Sequence, residues 1–228
     1  MTPIGLPLPD VVPVLRGALV TLRPPTPADV GVIARLGVDP AIERFFGAER
    51  QTRRGLTTDE ASRVLARLAG PARTQGWVIE ESERLVGLAR LFAVEPDERR
   101  ARYAVTLLSH ERLGHGLGTE TTRLVLAYGF AVLGLHRVSA RVLDFNERAL
   151  ACLRASGFVE EGRERESVPF EGLRRDIVTL GVLDREFAAL AAARPECAGL
   201  SALARVVRDE LAAGRGRGRA WPNRAPSP

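Results

Sequence analysis

The chain has 228 residues, 45% of them apolar, with 33 basic and 28 acidic side chains, which suits one domain of ordinary size with a core of its own. Every basic residue is arginine; without lysine there is neither a P-loop Gly-Lys-Ser/Thr nor a Schiff base for pyridoxal, and both chemistries are excluded. Four of the five surplus positive charges lie near the C-terminus, where six arginines from Arg205 to Arg224 meet only Asp209 and Glu210, so the body is nearly neutral and a nucleic-acid surface is not implied.

Residues 1–15 read as an irregular, proline-rich leader with no basic segment ahead of an apolar stretch, so it is not read as a signal peptide. Ala18 to Arg23 reads as a first strand. Thr26-Pro27-Ala28-Asp29 opens a helix, with Thr26 as cap, Pro27 at the first helical position and Asp29 near the positive end. Asp39-Pro40 repeats that start for a short helix ending near Gly47. Thr57 to Glu60 has capping-box spacing before a helix through Leu68, and Gly70-Pro71 stops it. Gly76 to Glu81 and Arg84 to Val94 form a hairpin. Arg102 to Leu108 is the next strand, rich in β-formers, and it runs into Ser109, His110 and Glu111.

Gly114-His115-Gly116-Leu117-Gly118 then precedes a long helix whose apolar residues from Leu124 to Leu135 recur at helical spacing, with Gly134 at its end. Arg137 to Leu143 is a strand, Asn146 to Ser156 a helix stopped by Gly157, and Phe158 to Glu166 and Leu173 to Leu183 a final strand pair. Helices at Asp184 to Ala193 and Leu200 to Leu211 precede an Arg/Gly/Pro-rich tail, read as disordered. Hairpins followed by a β-α-β-α-β unit predict a mixed α/β (α+β) sheet with helices on both faces. No run of about 18 apolar residues calls for a membrane span. Two cysteines, Cys152 and Cys197, are too few for a disulfide framework or a thiolate zinc site. A reducing cytoplasm is the expected compartment, and no metal is expected.

A glycine-rich loop between strand and helix is an anion site in waiting. The helix start has unpaired N–H groups and positive potential, and glycine lets a phosphate approach the main chain. The spacing is not Gly-x-Gly-x-x-Gly. Three glycines in a loop can equally be structural.

The surrounding residues carry more. Arg-Leu-Gly-His-Gly-Leu-Gly-Thr-Glu (Arg112–Glu120), Gly-Leu-His-Arg-Val (Gly134–Val138), Asn-Glu-Arg-Ala (Asn146–Ala149) and Gly-Phe-Val-Glu-Glu-Gly (Gly157–Gly162) follow in an order and spacing that resembles the GNAT N-acetyltransferase superfamily. The branch it is most similar to contains the Rim-type ribosomal-protein N-terminal acetyltransferases. The resemblance spans roughly residues 16–190. It implies a mostly antiparallel central sheet with splayed parallel strands and a domain over 16–193, leaving 194–228 as short helix and tail.

The resemblance also implies acetyl-CoA as co-substrate and an amine as acceptor, either a small molecule or a protein N-terminus. The main chain of Leu113, Gly114, His115, Gly116, Leu117, Gly118 and Thr119 would hold the pyrophosphate. The pantetheine arm would lie in the gap beside Arg102–Leu108, reaching Leu107. Asn146 would hold the cofactor arm or an ordered water, next to its plain reading as a helix N-cap. Residues 35–73 would form the lid over the acceptor. Their arginines suit a carboxylate-bearing acceptor, or simply a solvated helix face.

Two departures stand out. Leu113 replaces a common Arg or Gln, with Arg112 one place earlier, and Leu153 replaces a common tyrosine that protonates the leaving thiolate. A thiol with a pKa of about 8.5 leaves with little help. Base candidates are His110, Glu111 and Asp144; each also reads as an ordinary solvated residue. His136 and Cys152 read as structural. An α-amine is about 10% neutral at pH 7 and an alkyl amine about 0.04%, so a site without a strong base favours α-amines. Two other readings stay open: a non-catalytic acyl-CoA-binding module, and a nucleic-acid-interacting protein acting through its arginine tail. A homodimer through the C-terminal strands is also left open.

Overall fold

A computed structural model describes residues 8–9, 11–48, 55–69, 73–194, 199, 207 and 209. Among the described residues, eight strands form one sheet in the order β1-β2-β3-β4-β5-β6-β8-β7. They are β1 (Leu15–Arg16), β2 (Thr21–Arg23), β3 (Gln75–Glu81), β4 (Arg84–Glu95), β5 (Arg100–Leu107), β6 (Arg137–Leu143), β7 (Val159–Phe170) and β8 (Leu173–Leu183). All neighbours are antiparallel except β5 and β6. The helices are α1 (Asp29–Leu36), α2 (Pro40–Glu43), α3 (Thr58–Ala69), α4 (Leu117–Ala131), α5 (Glu147–Ala155) and α6 (Asp184–Ala193). The mixed sheet and its mostly antiparallel order are those expected from the sequence.

Strand alternation sends side chains to both faces, and each face carries its own core. Ala101, Tyr103 and Leu107 of β5 join Trp77 and Leu91 against α4, whose Leu124, Val125, Leu126 and Tyr128 are almost wholly buried. The Trp77 and Tyr128 rings meet edge to face at 5.5 Å. On the other face, Val78, Leu85 and Leu88 pack under Ile33 of α1 and Ala61, Leu65 and Leu68 of α3. Gly76 is required here: a Cβ would sit 2.3 Å from the Leu68 carbonyl oxygen.

Several start signals work as their chemistry dictates. Thr57 and Glu60 form a reciprocal box, with the Thr57 amide donating to the Glu60 carboxylate and the Glu60 amide donating to Thr57 Oγ1. Asp39 caps α2 by accepting from the Ala41 amide. Thr26 behaves differently from its reading as a cap. It donates its amide and hydroxyl to Asp29, and Asp29 also receives two hydrogen bonds from Arg23. The helix begins at Asp29 because that carboxylate serves as the anchor.

The expected strand at Ala18–Arg23 is also corrected. Residues 17–20 form a turn between β1 and β2, and only Thr21–Arg23 is strand. The cause lies about a hundred residues away. The Glu120 carboxylate in the first turn of α4 accepts the amides of Ala18, Leu19 and Val20 at 2.7–2.8 Å, drawing three consecutive N–H groups out of any ladder. The stretch read as a leader is tied to the core: Trp77 Nε1 donates to the Pro13 carbonyl and Gln75 Nε2 to that of Pro9. Of the helix expected at Leu200–Leu211, Val207 and Asp209 are described; both are helical, and Val207 packs in the larger core. The rest, with the arginine tail and Cys197, lies outside the described residues.

Glu120→Ala strands three amides that share one charged acceptor. We expect it to lower unfolding stability by about 2 kcal/mol, measured as a shift of the urea midpoint at unchanged m-value.

Candidate functional site

The site begins where the two parallel strands part. β5 and β6 pair only over Arg100–Arg102 with Arg137–Ser139. Beyond that, Tyr103, Ala104 and Val105 face Ala140 to Leu143 across a cavity of about 290 Å³. An open strand edge leaves main-chain donors and acceptors unmatched, so a slender polar chain entering the gap finds hydrogen-bond partners along β5. Tyr103 holds the fork. Its ring stacks on Phe158 at 6.4 Å, and its hydroxyl lies 3.0 Å from Thr122 Oγ1. Thr122 spends its own proton on the Gly118 carbonyl at 2.7 Å. The Tyr103 proton is therefore committed to Thr122, and burial raises its pKa well above the ordinary phenol value.

The glycine loop opens onto the same gap. Gly114 and Gly116 have φ of 84° and 80°, a left-handed region that costs other residues strain. Gly116 is the N-cap of α4 and no side chain caps that helix, so its first-turn amides point outward with the positive end of the helix dipole. A cavity of about 530 Å³ runs from Leu107 and Leu113 past Gly114, Gly116 and Thr119 to Asn146 and Cys152. Leu117 and Gly118 line it too. The His115 side chain is exposed and outside this lining.

Asn146 accepts the Ala149 amide at 3.1 Å, capping α5, and borders both this cavity and the strand gap. Arg112 Nη1 is 2.6 Å from Glu81, which engages its charge beside the loop. Leu153, 4% exposed, lines the gap where an acid would sit. Cys152 lies 3.6 Å from Thr119 Oγ1, and burial pushes its thiol pKa up.

A third cavity, of about 470 Å³, lies between α1–α3 and the strands β4 and β5. Val105 and Phe46 border all three cavities. They therefore mark the point where the three cavities meet. Phe46 is 60% exposed.

The three base candidates have different surroundings. His110 Nδ1 is 2.8 Å from Asp39, which also accepts the His110 amide. Asp39 is buried and lines the third cavity with Glu43. Burial opposes its charge. The His110 amide and imidazole and the Ala41 amide outweigh burial and hold the Asp39 carboxyl below the usual range. Glu111 is exposed, its amide donating to Ser109 Oγ. Asp144 faces Arg175 at 3.4 Å. None of His110, Glu111 and Asp144 lines the three cavities. Sequence reasoning passed over Asp39 and Glu43: Asp39-Pro40 read only as a helix start, although the i, i+4 spacing to Glu43 puts both on one helix face.

Comparison with known proteins identifies a family. Residues 20–159 match the family model described as "Acetyltransferase (GNAT) domain". Over 102 residues the chain is 32% identical to "Probable N-acetyltransferase YjcK" of Bacillus subtilis (strain 168), covering 45% of this chain and 56% of that protein. It is 29% identical to the spermidine N(1)-acetyltransferase of Escherichia coli (strain K12), covering 50% of this chain and 60% of that one. The chain thus spans little more than half the length of these relatives. Among solved structures, Mycobacterium smegmatis RimJ in complex with CoA-disulfide superposes with a TM-score of 0.65 at 25% identity, covering 81% of this chain and 94% of that one.

Two outcomes follow from this geometry. Replacing Gly114 and Gly116 together by alanine should raise the CoA dissociation constant about tenfold, since a methyl strains both left-handed positions; calorimetric titration measures it. The lowered pKa of Asp39 makes its contribution to stability present above the free carboxyl value of about 3.9, and that contribution is lost as pH falls through the folded value. The difference in urea midpoint between the parent and Asp39→Asn should therefore shrink as pH falls below about 4.

Proposed function

The chain belongs to the GNAT acetyltransferase family, and on that premise we propose that it moves an acetyl group from acetyl-CoA to an amine, of a small molecule or a protein N-terminus. The observation that carries this reading is the meeting of three cavities at Val105 and Phe46: one suited to phosphates, one to a slender polar arm and one to an acceptor. The residues fit the cofactor. Two left-handed glycines precede an uncapped helix start, and a Cβ built on Gly114 would meet nothing within 4 Å, so the loop's outer side is open to an anion.

In this reading the amides from Leu113 to Thr119 hold the pyrophosphate, the free edge of β5 up to Leu107 holds the pantetheine arm, and the Asn146 side chain steadies that arm while capping α5. When bound, acetyl-CoA supplies a thioester whose acyl carbon gains a C–N bond to the acceptor as its C–S bond breaks, the amine proton being released. Asp39 and Glu43 draw the acceptor's ammonium under the lid. His110, bonded to Asp39 and 57% exposed on its side chain, passes the surplus proton to water. Glu111 and Asp144 are the weaker candidates, one exposed and the other engaged by Arg175.

Leu153 and the committed proton of Tyr103 leave the leaving sulfur without a side-chain acid in the gap. That observation favours one alternative, an acyl-CoA-binding module without turnover. The test is thiol release from acetyl-CoA across a panel of amines and peptides. We expect release with at least one acceptor, and His110→Gln should lower kcat/KM about a hundredfold at unchanged CoA affinity. Tight CoA binding with no thiol released by any amine would replace this reading with the alternative.

A further inference from the structure

Several arginines on this sheet are ion-paired: Arg23 meets Asp29 and Glu80, Arg100 meets Glu95, Arg137 meets Glu161, and Arg141 meets Glu164. Arg90 of β4 and Arg67 of α3 differ from these. Arg90 stands in the middle of β4, an interior strand, opposite Gly76 and Ala104. Those small neighbours leave its guanidinium room over the sheet. It is half-buried, and its guanidinium carbon lies over the Phe92 ring, 4.4 Å from the ring centre. Arg67 comes down from the last turn of α3 to line the same 470 Å³ cavity. Among the described residues no carboxylate forms an ion pair with either. Each raises the cost of the other's charge, and burial and Arg67 together lower the Arg90 pKa.

Two like charges gathered in a cleft, one of them half-buried on an interior strand, oppose folding unless something there is worth their cost. The same cleft carries Asp39 and Glu43, both from the α2 segment, and reaches Val105 and Phe46 at the meeting point of the cavities. Its lining is therefore bipolar. Carboxylates come from one segment and guanidiniums from α3 and β4, with Ile33, Val64 and Leu88 also lining it. A guanidinium fork matches a carboxylate in shape as well as charge. An acceptor with two ammonium groups would place its second cation against arginine.

We propose that the acceptor is an amine that also bears a carboxylate, held by Arg90 and Arg67 while its amine turns toward Val105. The inference rests on the acetyl-transfer reading for the amine and on the arginine pair for the carboxylate, so the two are tested separately.

The kinetic test follows thiol release from acetyl-CoA with L-amino acids and ω-amino acids of increasing length, each beside its primary amide, with spermidine as the cationic control. The acids should exceed their amides in kcat/KM by about tenfold or more. Arg90→Gln should remove that preference through KM and leave the amides unchanged, and Arg67→Gln, on an exposed helix position, should reduce it. The binding test titrates N-acetylated acids and their amides into CoA-saturated protein. Only the acids should bind, and they should do so only with Arg90 present. Equal kcat/KM for acids and amides, or a preference that survives both substitutions, would overturn the carboxylate site while leaving acetyl transfer intact. Arg90-dependent binding of acids without thiol release for any amine would keep the site and remove the transfer reading. Neither binding nor release overturns both.

Discussion

The separation of β5 from β6 is the constraint on which the rest depends. Parallel pairing lasts three residues and stops at Arg102 and Ser139. A continued ladder would satisfy both edges and leave no entry between them. Tyr103 stands at the fork and fills the space beneath it, stacked on Phe158 and hydrogen-bonded to Thr122. One packed aromatic thus maintains an opening that main-chain hydrogen bonding would otherwise close. β6 makes up its pairing on the far side, running in register with β8 along its whole length, so the sheet stays continuous while one edge of the gap remains available.

The charges around the fork divide by function. The loop side has no acid among its cavity residues and uses main-chain amides, where an anion gains from the helix dipole. The lid side carries both signs, with Asp39 drawn into hydrogen bonds from His110 and α2. Those bonds also fasten α2 to the segment after β5, so Asp39 both lines the 470 Å³ cavity and fixes its wall.

Much of the fold was legible in the sequence because its signals are local. The Thr57–Glu60 box and the Asp39 cap act within a few residues of themselves and appear as read, whereas α4 ends at Ala131, three residues before Gly134. The loop was legible for the same reason: Gly114 and Gly116 sit immediately before an apolar helical repeat, and both take the left-handed φ that glycine adopts without strain. What escaped depended on distant partners. Ala18–Arg23 alternates like a strand, and nothing nearby reveals that Glu120 takes three of its amides. Asp39 read only as a helix start and Glu43 was passed over, because only the packing of α2 over the sheet sets both beside the 470 Å³ cavity. The arginines of residues 35–73 read either as partners for a carboxylate or as a solvated face, and Arg90 was passed over, because the convergence of Arg67 and Arg90 is a property of packing. Candidate residues chosen by position in the chain, such as Glu111 and Asp144, fell near the site without facing its cavities.

The grip of Glu120 on residues 18–20 also bears on how the molecule assembles. The hydrogen bonds close a loop of about a hundred residues, and Leu19 rests 3.4 Å from where a Cβ of Gly116 would be. The N-terminal turn therefore packs against the glycine loop. Closure over such a separation is slow and entropically costly. A ligand held by the first turn of α4 would thereby stabilise the N-terminal strands as well.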